Sequence, residues 1–432
     1  MTTGSGTTGP GPTGSGTTPA ATGPRLWSHH DFRSLWAGAT VSQVGSQLSG
    51  IALPVLAVQV LDAREAQMGV LAACETLAFL LVGLPAGAWV DRWRKRRVLV
   101  ANDLFRAALY GSIPIAWWFD LLSLAQLFVV AVVAGGCTVF FDVAYQSYLP
   151  QLVQGEHIVA GNARLQASES VAQVAGPAVG GGLLRLLSAP ALIGLDAASF
   201  LGSAFLISRI RQQETPPARH ERRPLRTEMA QGLRFVLQHR LLRRIVACTS
   251  LSNFFGAMTG ALLVLYVLRD LDLSTATLGL IFSGSAVGGL LGALTTGWIT
   301  RQIGEGRTIP VSAMLFAPAA AATPLAAQLE GPGRIALLVG GGFVFFGFVV
   351  VYNITQVSFR QRVCPPGLLG RMNASVRFIV WGCQPIGALA GGALGATLGI
   401  PTVLWITVVG TGLAALPVVL SPLITMREMP SR

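Results

Sequence analysis

The chain has 432 residues, of which 52% are hydrophobic and only 12% charged, yet Lys and Arg outnumber Asp and Glu by 31 to 19, leaving a net charge of +12. With a mean hydropathy of +0.59, this composition belongs to a membrane protein and excludes a soluble basic domain built to hold nucleic acid, because the cations sit in short connections between apolar stretches. The five cysteines, Cys74, Cys137, Cys248, Cys364 and Cys383, form no close pair and no zinc spacing, so no disulfide framework, metal or other cofactor is expected.

Residues 1–33 begin with Gly, Thr, Pro and Ser and contain no apolar run, so they lack a signal peptide's hydrophobic centre and read as a disordered tail. Twelve apolar stretches of roughly twenty residues or more follow, enough at about 1.5 Å per residue to cross a bilayer core of about 30 Å. They fall near 34–58, 68–90, 98–119, 124–147, 165–187, 191–209, 245–268, 278–300, 309–328, 335–358, 372–398 and 402–420. The expected fold is an all-α membrane protein with twelve transmembrane helices. Cations crowd the connections that share a side with the amino terminus: Arg92, Arg94, Lys95, Arg96 and Arg97, the stretch from Arg209 to Arg244, then Arg301, Arg307, Arg360, Arg362 and Arg371. The opposite side offers Arg64, Arg269 and Arg334, with Arg185 near a helix end. The positive-inside bias therefore places both termini in the cytoplasm.

Sliding the chain along itself by about 210 residues pairs Ser42 with Ser252, Gly50 with Gly260, Gly69 with Gly279 and Gly87 with Gly297. One residue further, Asn162 and Ala163 meet Asn373 and Ala374, Gly176 meets Gly387, and Gly180 and Gly181 meet Gly391 and Gly392. These matches fall at equivalent points of spans 1 and 7, 2 and 8, and 5 and 11, and predict two pseudo-symmetric six-helix bundles, 34–209 and 245–421. The connection, 210–244, holds an amphipathic segment from Glu228 to Arg244 with Met229, Leu233, Val236, Leu237 and Leu241 on one stripe, suited to the cytoplasmic leaflet. Residues 422–432 form a short cytoplasmic tail.

The loop after span 2 reads Gly87-Ala88-Trp89-Val90-Asp91-Arg92-Trp93-Arg94-Lys95-Arg96-Arg97, and here the chain resembles the major facilitator superfamily. Small Gly87 permits close helix approach, and Asp91 can dock at the positive end of a neighbouring helix. The resemblance implies a conformational latch across the two halves, formed by Gly87, Asp91, Arg92 and Arg96 against span 11, where Arg377 lies near the inner surface. The matching loop of the second half, Gly297 to Gln302, lacks the Asp. Span 5 carries Gly176-Pro177-Ala178-Val179-Gly180-Gly181-Gly182, similar to the family's exporter-associated pattern, and span 11 repeats its ingredients in Pro385, Gly387, Gly391 and Gly392. Proline removes a donor and glycine removes side chains, so these positions are expected to kink their helices and pack tightly against the other half. The resemblance spans about Arg33 to Leu420 and, through Gly232 to Val236 in the linker and Tyr148-Leu149-Pro150 before span 5, extends to bacterial siderophore exporters and macrolide efflux proteins.

Ionisable residues inside spans are costly and need a partner or a task. Asp103 and Arg106 stand three apart and neutralise each other as a structural pair. Asp142 and Asp196 are the others without an assigned role. Glu75 and Glu169 have no same-helix cation, so they are the proton-coupling candidates. By family analogy spans 1, 4, 7 and 10 line the cavity, and amides among aromatics midway along them, namely Gln43, Gln47, Phe140, Asn253, Phe254, Phe346 and Asn353, are expected to contact substrate, with Cys137 and Phe345 alongside.

The only lysine, Lys95, follows Arg94, so no phosphate-binding Gly-Lys loop exists. All five histidines lie outside the spans, no HExxH occurs and no nucleophile and base set is found, so no enzyme is expected. The reading is a monomeric secondary transporter of a bacterial plasma (inner) membrane, embedded in lipid, that exports a small amphipathic drug, macrolide-like or siderophore-like compound in exchange for protons. An importer or facilitator of the same fold, and a receptor or channel, are the alternatives. The two-bundle repeat with its Asp-containing loop favours alternating access.

Overall fold

The computed structural model describes residues 29–90, 93–153, 156–212, 214, 225–365 and 368–427, and the regular elements among them are all helical. The first six predicted segments are α1 (His30–Gln59), α2 (Glu65–Val90), α3 (Lys95–Trp118), α4 (Leu124–Leu152), α5 (Glu156–Leu183) and α6 (Ala189–Ser208). After the linker helix α7 (Leu225–Gln238) come α8 (Arg240–Leu265), α9 (Thr275–Ile303), α10 (Glu305–Ala320) with its one-turn continuation α11 (Ala322–Leu325), α12 (Gly331–Val363), α13 (Leu369–Leu398), and α14 (Ile400–Ala414) with the turn α15 (Leu416–Val419). Among the described residues, ten helical segments are long and apolar enough to cross a membrane. The two outside that set are α3, where Asp103 and Arg106 interrupt the apolar run, and α5, which carries Arg164 and Glu169.

One end of the bundle, the terminal end, carries the start of α1, the close of α15 and the linker. There Asp31 accepts backbone bonds from Arg211 and Gln212, and Arg244 donates to the carbonyl of Leu420. The far end carries the loops that close α1, α3 and α8. Each closes on an aspartate in the left-handed region, Asp62 (φ 51), Asp120 (φ 53) and Asp272 (φ 50), a conformation that a short polar side chain tolerates. Asp62 and Asp272 are repeat-related, which extends the sequence repeat to loop geometry.

Packing follows the same twofold logic. α1 lies on α5 as α8 lies on α13; α2 lies on α4 as α9 lies on α12; α3 lies on α6 as α10 lies on α14. The main contacts joining the first six helices to the last six are α2 with α13 and α5 with α9, which are again each other's equivalents. Glycines set the spacing in both kinds of contact. Gly176 faces Gln47 and Gly180 faces Ile51 of α1, while Gly387 faces Phe254 and Gly391 faces Met258 of α8. These four therefore seat their helices on a neighbour within the same half, which corrects the expectation that they pack against the other half. That role falls to the residues beside them: Gly181 rests on Gly279 of α9, and Gly392 rests on Gly69 of α2. A methyl group on any of the four would meet partner backbone. Pro177 and Pro385 sit inside α5 and α13, where each withholds one helix hydrogen bond.

The linker also differs from expectation. Its amphipathic helix stops at Gln238, and His239 caps the following helix, its ring accepting from the amide of Leu242 at 3.2 Å. The residues from Arg240 onward thus belong to α8. Desolvation of the half-buried ring lowers the His239 pKa, which favours the neutral form that can accept this bond. α7 is seated on α13, with Gly232 against the carbonyl of Arg371, Gln231 accepting from the Arg371 guanidinium at 2.7 Å, and Val236 fully buried.

Asp103 and Arg106 form the ion pair predicted for α3, at 0% and 4% exposure. Phe141 and Phe200 cover the guanidinium at 4.4 and 4.3 Å, so cation–π contacts replace part of the lost hydration. Removing one member strands the other. Arg106→Leu is expected to cost about 3–5 kcal/mol and to lower the melting temperature of detergent-purified protein, whereas Asp103→Asn combined with Arg106→Leu recovers most of the loss.

Candidate transport site

Between the two sets of helices lies a cavity of about 430 Å³, within the size range of small-molecule sites. α1 contributes Gly50 and Pro54, α2 contributes Ala72, Glu75 and Thr76, and α13 contributes Gln384. The larger share of the wall comes from the last six helices, including Thr259 and Gly260 of α8, Phe282 and Ser285 of α9, Phe345 and Phe346 of α12, and Thr407 and Thr411 of α14. The wall is mostly apolar, and Glu75 is its one charged residue among the described residues. Its carboxylate makes no hydrogen bond or ion pair with them. Hydroxyls are distributed around the opposite wall, where Thr259 donates to Thr407 at 3.0 Å.

Of the substrate-contact candidates, Phe346 lines this cavity, and it is 46% exposed. The others lie outside its lining, most of them nearer the terminal end. Gln47 is pressed against Gly176, Asn253 donates to the carbonyl of Val380 at 3.3 Å, and Asn353 accepts from Gln356 at 3.5 Å. Phe254 packs edge-on against Phe255, and Phe140 sits between Trp89 and Trp93 with ring centroids at 6.0 Å from each. Gln43 is half-buried on α1, one turn before Gln47. The physical reason for the displacement is depth. Midway positions were read from the centre of each apolar run, while the glycines and small residues that open space on α1, α8 and α12 lie toward the far end.

The latch candidates are dispersed. Asp91 and Arg92 lie outside the described residues, as does the side-chain environment of Gly87. Arg96 is engaged with the first six helices and the linker, donating to the carbonyl of Ser208, while its amide and that of Lys95 bond the Glu214 carboxylate at 2.5 and 2.6 Å. Arg377 lies over the Trp381 ring at 5.0 Å and within electrostatic reach of Asp142 on α4. Glu169, which accepts from Gln173 at 3.2 Å, is within electrostatic reach of the same Asp142. Asp142 thus connects two singled-out residues from opposite halves, a role that sequence spacing alone could not reveal because three different helices contribute.

A second cross-half contact was also not anticipated. Arg269, in the π turn that ends α8, donates to the carbonyls of Ala63 and Val58, both at 3.0 Å, and pairs with Asp62. The ion pair is exposed and so contributes little, which leaves the two backbone bonds carrying the contact. Together with the glycine crossings, this closes the far end over the cavity.

Helices of these lengths, repeated as two interlocking sets around a cavity whose described lining includes a carboxylate, define a membrane transporter. The Major Facilitator Superfamily profile matches residues 35–383, and the chain belongs to that family. It is 27% identical over 397 residues to the multidrug efflux pump Tap of Mycobacterium tuberculosis, covering 89% of this chain and 91% of that protein. It is 26% identical over 378 residues to the enterobactin exporter EntS of Escherichia coli, covering 86% and 85%. Among solved structures, the nucleoside transporter NupG superposes with a TM-score of 0.74 at 13% identity, over 90% of this chain and 99% of that one. A bacterial ferroportin homologue at 17% identity superposes with a TM-score of 0.68 in its inward-facing state, covering 90% and 98%, and of 0.58 in its outward-facing state, covering 90% and 98%.

The far-end closure is open to direct test. Gly279→Val, which places a branched side chain against Gly181, is expected to raise the labelling of a cysteine introduced at Ala72 by a membrane-impermeant maleimide applied from the far side. Arg269→Ala should act in the same direction but more weakly, because the helix crossings remain. Unchanged labelling in both variants would show that these contacts do not hold the far end shut.

Proposed function

We propose that the protein exports small amphipathic compounds, preferentially those bearing a positive charge, in exchange for protons by alternating access. The observation that carries this reading is the cavity itself, an apolar, aromatic-lined space between the halves with Glu75 as its one described charge. An organic cation is attracted to a carboxylate far more strongly in such a setting than in water, and a proton bound to Glu75 cancels that attraction. Competition between the two for one group couples their opposite movements without any covalent step. Membership in the same family as Tap and EntS supports the outward direction. The lining by one carboxylate supports a multidrug-like range of lipophilic cations over a single siderophore.

On this reading both termini and the linker face the cytoplasm of a bacterial inner membrane, in agreement with the positive-inside bias. The state described here is then the inward-facing one, supported by far-end closure and by the better superposition on an inward-facing relative. The two sets of six helices rock as separate bodies, the chain works as a monomer, and no reaction is catalysed. Asp91 and Arg92 latch the terminal end when the far end opens, and Asp142, Arg377 and Glu169 form the charged cluster that this latch joins.

Uptake of ethidium from the medium into everted vesicles, driven by an imposed pH gradient, separates these assignments. Wild type is expected to accumulate the dye and to lose it on addition of a protonophore. Glu75→Gln should abolish the gradient dependence with insertion preserved, and Asp91→Asn should reduce the rate while leaving coupling intact. Normal coupled flux in Glu75→Gln would remove that residue from the mechanism, and accumulation indifferent to the protonophore would refute proton exchange.

A further inference from the structure

Glu75 faces two spaces. Besides the central cavity it lines a second space, a chamber of about 150 Å³ walled by α1, α2, α3 and α4. The shared wall is Gly50 and Glu75. The chamber's own lining is rich in hydroxyls, from Ser46 and Ser49 of α1, Tyr110 of α3 and Thr138 of α4. Such a space is polar and roomy enough for a few waters with several partners each.

Behind this chamber stands Asp196 of α6, at 0% exposure. Ser199 donates to its Oδ1 at 3.1 Å, while its Oδ2 has no hydrogen-bond partner. Ser49 adjoins the same carboxyl from α1 and is 3% exposed, and its Oγ also lacks a partner of good geometry. Ser49 Oγ and the Asp196 carboxyl therefore interact across the wall between chamber and carboxyl, in a geometry that leaves Oγ and Oδ2 short of a well-formed bond. Buried polar atoms are rarely left this way, and each one calls for an explanation. The carboxyl is held close to α1 because position 45 is glycine: a Cβ there would run into Asp196 Oδ1 and Ser199 Oγ.

The charged surroundings decide what the pair can hold. From α3, Asp196 is faced by Asp103, Arg106 and Tyr110. Asp103 and Arg106 already neutralise each other. From α1 it meets the neutral Ser49. Glu75 is faced by Tyr110 of α3, with Cys74 beside it on α2. A metal cation at Asp196 would need several more oxygens and would lie near the Arg106 guanidinium. A proton needs one orphaned oxygen and one hydroxyl, which are both present.

We propose that this chamber is a proton-transfer site in which Glu75 exchanges a proton with Asp196 through chamber water and the Ser49 hydroxyl. In the forward step the Glu75 carboxyl gives its proton to a water molecule. That water passes a proton to Ser49 Oγ, and Ser49 releases its own hydroxyl proton to Asp196 Oδ2. One proton has moved, Glu75 is left as carboxylate, and Asp196 is left neutral; return follows the same atoms in reverse. Asp196 is thereby a second acceptor, set away from the substrate cavity, that takes up the Glu75 proton as the carboxylate forms. The inference deepens the reading of Glu75 as the coupling residue and rests on it for its purpose, but the chamber is testable without transport.

The test is infrared difference spectroscopy of the purified full-length protein between acid and alkaline pH, which reports the carbonyl stretch of each non-ionised carboxyl group. Wild type is expected to show bands assignable to both residues, with Asp196→Asn losing one and Glu75→Gln losing the other. Ser49→Ala, a milder change that keeps the fold, should shift the Asp196 band and slow its hydrogen–deuterium exchange while leaving the Glu75 band in place. Thr138→Leu, which fills the chamber, should slow exchange at Asp196 alone. An Asp196 band that exchanges equally fast in both of these variants overturns the proposal, as does a band that responds to added sodium and not to pH. Should ethidium flux fail in wild type while the two bands behave as described, the export reading falls and the chamber stands.

Discussion

The close approach of four backbones at the far end is the constraint on which the rest of the structure depends. Gly181 against Gly279 and Gly392 against Gly69 are places where a single methyl group would strike the partner's main chain. In a lipid environment helices gain little from hydrophobic exclusion, so contact area must come from surfaces that interlock, and small residues allow that. These four residues are also repeat-related, each crossing being the image of the other. A body built from two copies of one plan acquires two equivalent hinges in this way, and neither half can shift on one crossing without disturbing its twin. Arg269 adds a polar clasp to the same end, anchored on backbone carbonyls that do not vary with side-chain identity.

Charge is placed with equal economy. Asp103 and Arg106 are fully buried, paired and covered by rings, so they belong to the framework of the first six helices. Glu75 instead stands at the boundary between the central cavity and a hydroxyl-lined chamber. Asp142, nearer the terminal end, is within electrostatic reach of both Arg377 and Glu169. Titratable groups thus sit at successive depths along the line between the halves, while the outer wall of the cavity from α9, α12 and α14 is supplied by Phe and Thr side chains. That asymmetry puts the cavity's described carboxylate on the first six helices and most of its apolar and hydroxyl surface on the last six.

Much of this was legible in the residues. Apolar runs placed every long helix, and the offset of about 210 residues identified the glycines that structure one end of the molecule, although it could not say which partner each would meet. Gly176 and Gly180 read as cross-half contacts because their helix makes such contacts. A one-residue step around the helix, to Gly181, changes the neighbour from α1 to α9. The cavity was harder. Gln47 and Asn253 are amides at mid-span, the usual signature of a polar lining, yet Gln47 lies over Gly176 and Asn253 reaches the carbonyl of Val380. Glu75 stood out because a carboxyl in an apolar run needs a partner or a task, and the structure puts it on the cavity wall. Arg269 was not, since its partners are main-chain carbonyls that any residue supplies.

The central claim is that the far end and the terminal end open reciprocally about the glycine crossings. Distances between spin labels report this directly, measured on a variant whose native cysteines are replaced, with one pair at Arg64 and Asp272 and another at Arg97 and Arg301. The account predicts a short far-end distance and a long terminal-end distance at one pH, both shifting in opposite directions as pH changes, with the far-end pair unable to reach its short distance in Gly279→Val. Two distances that move together, or a far-end pair in Gly279→Val that matches wild type, would contradict it.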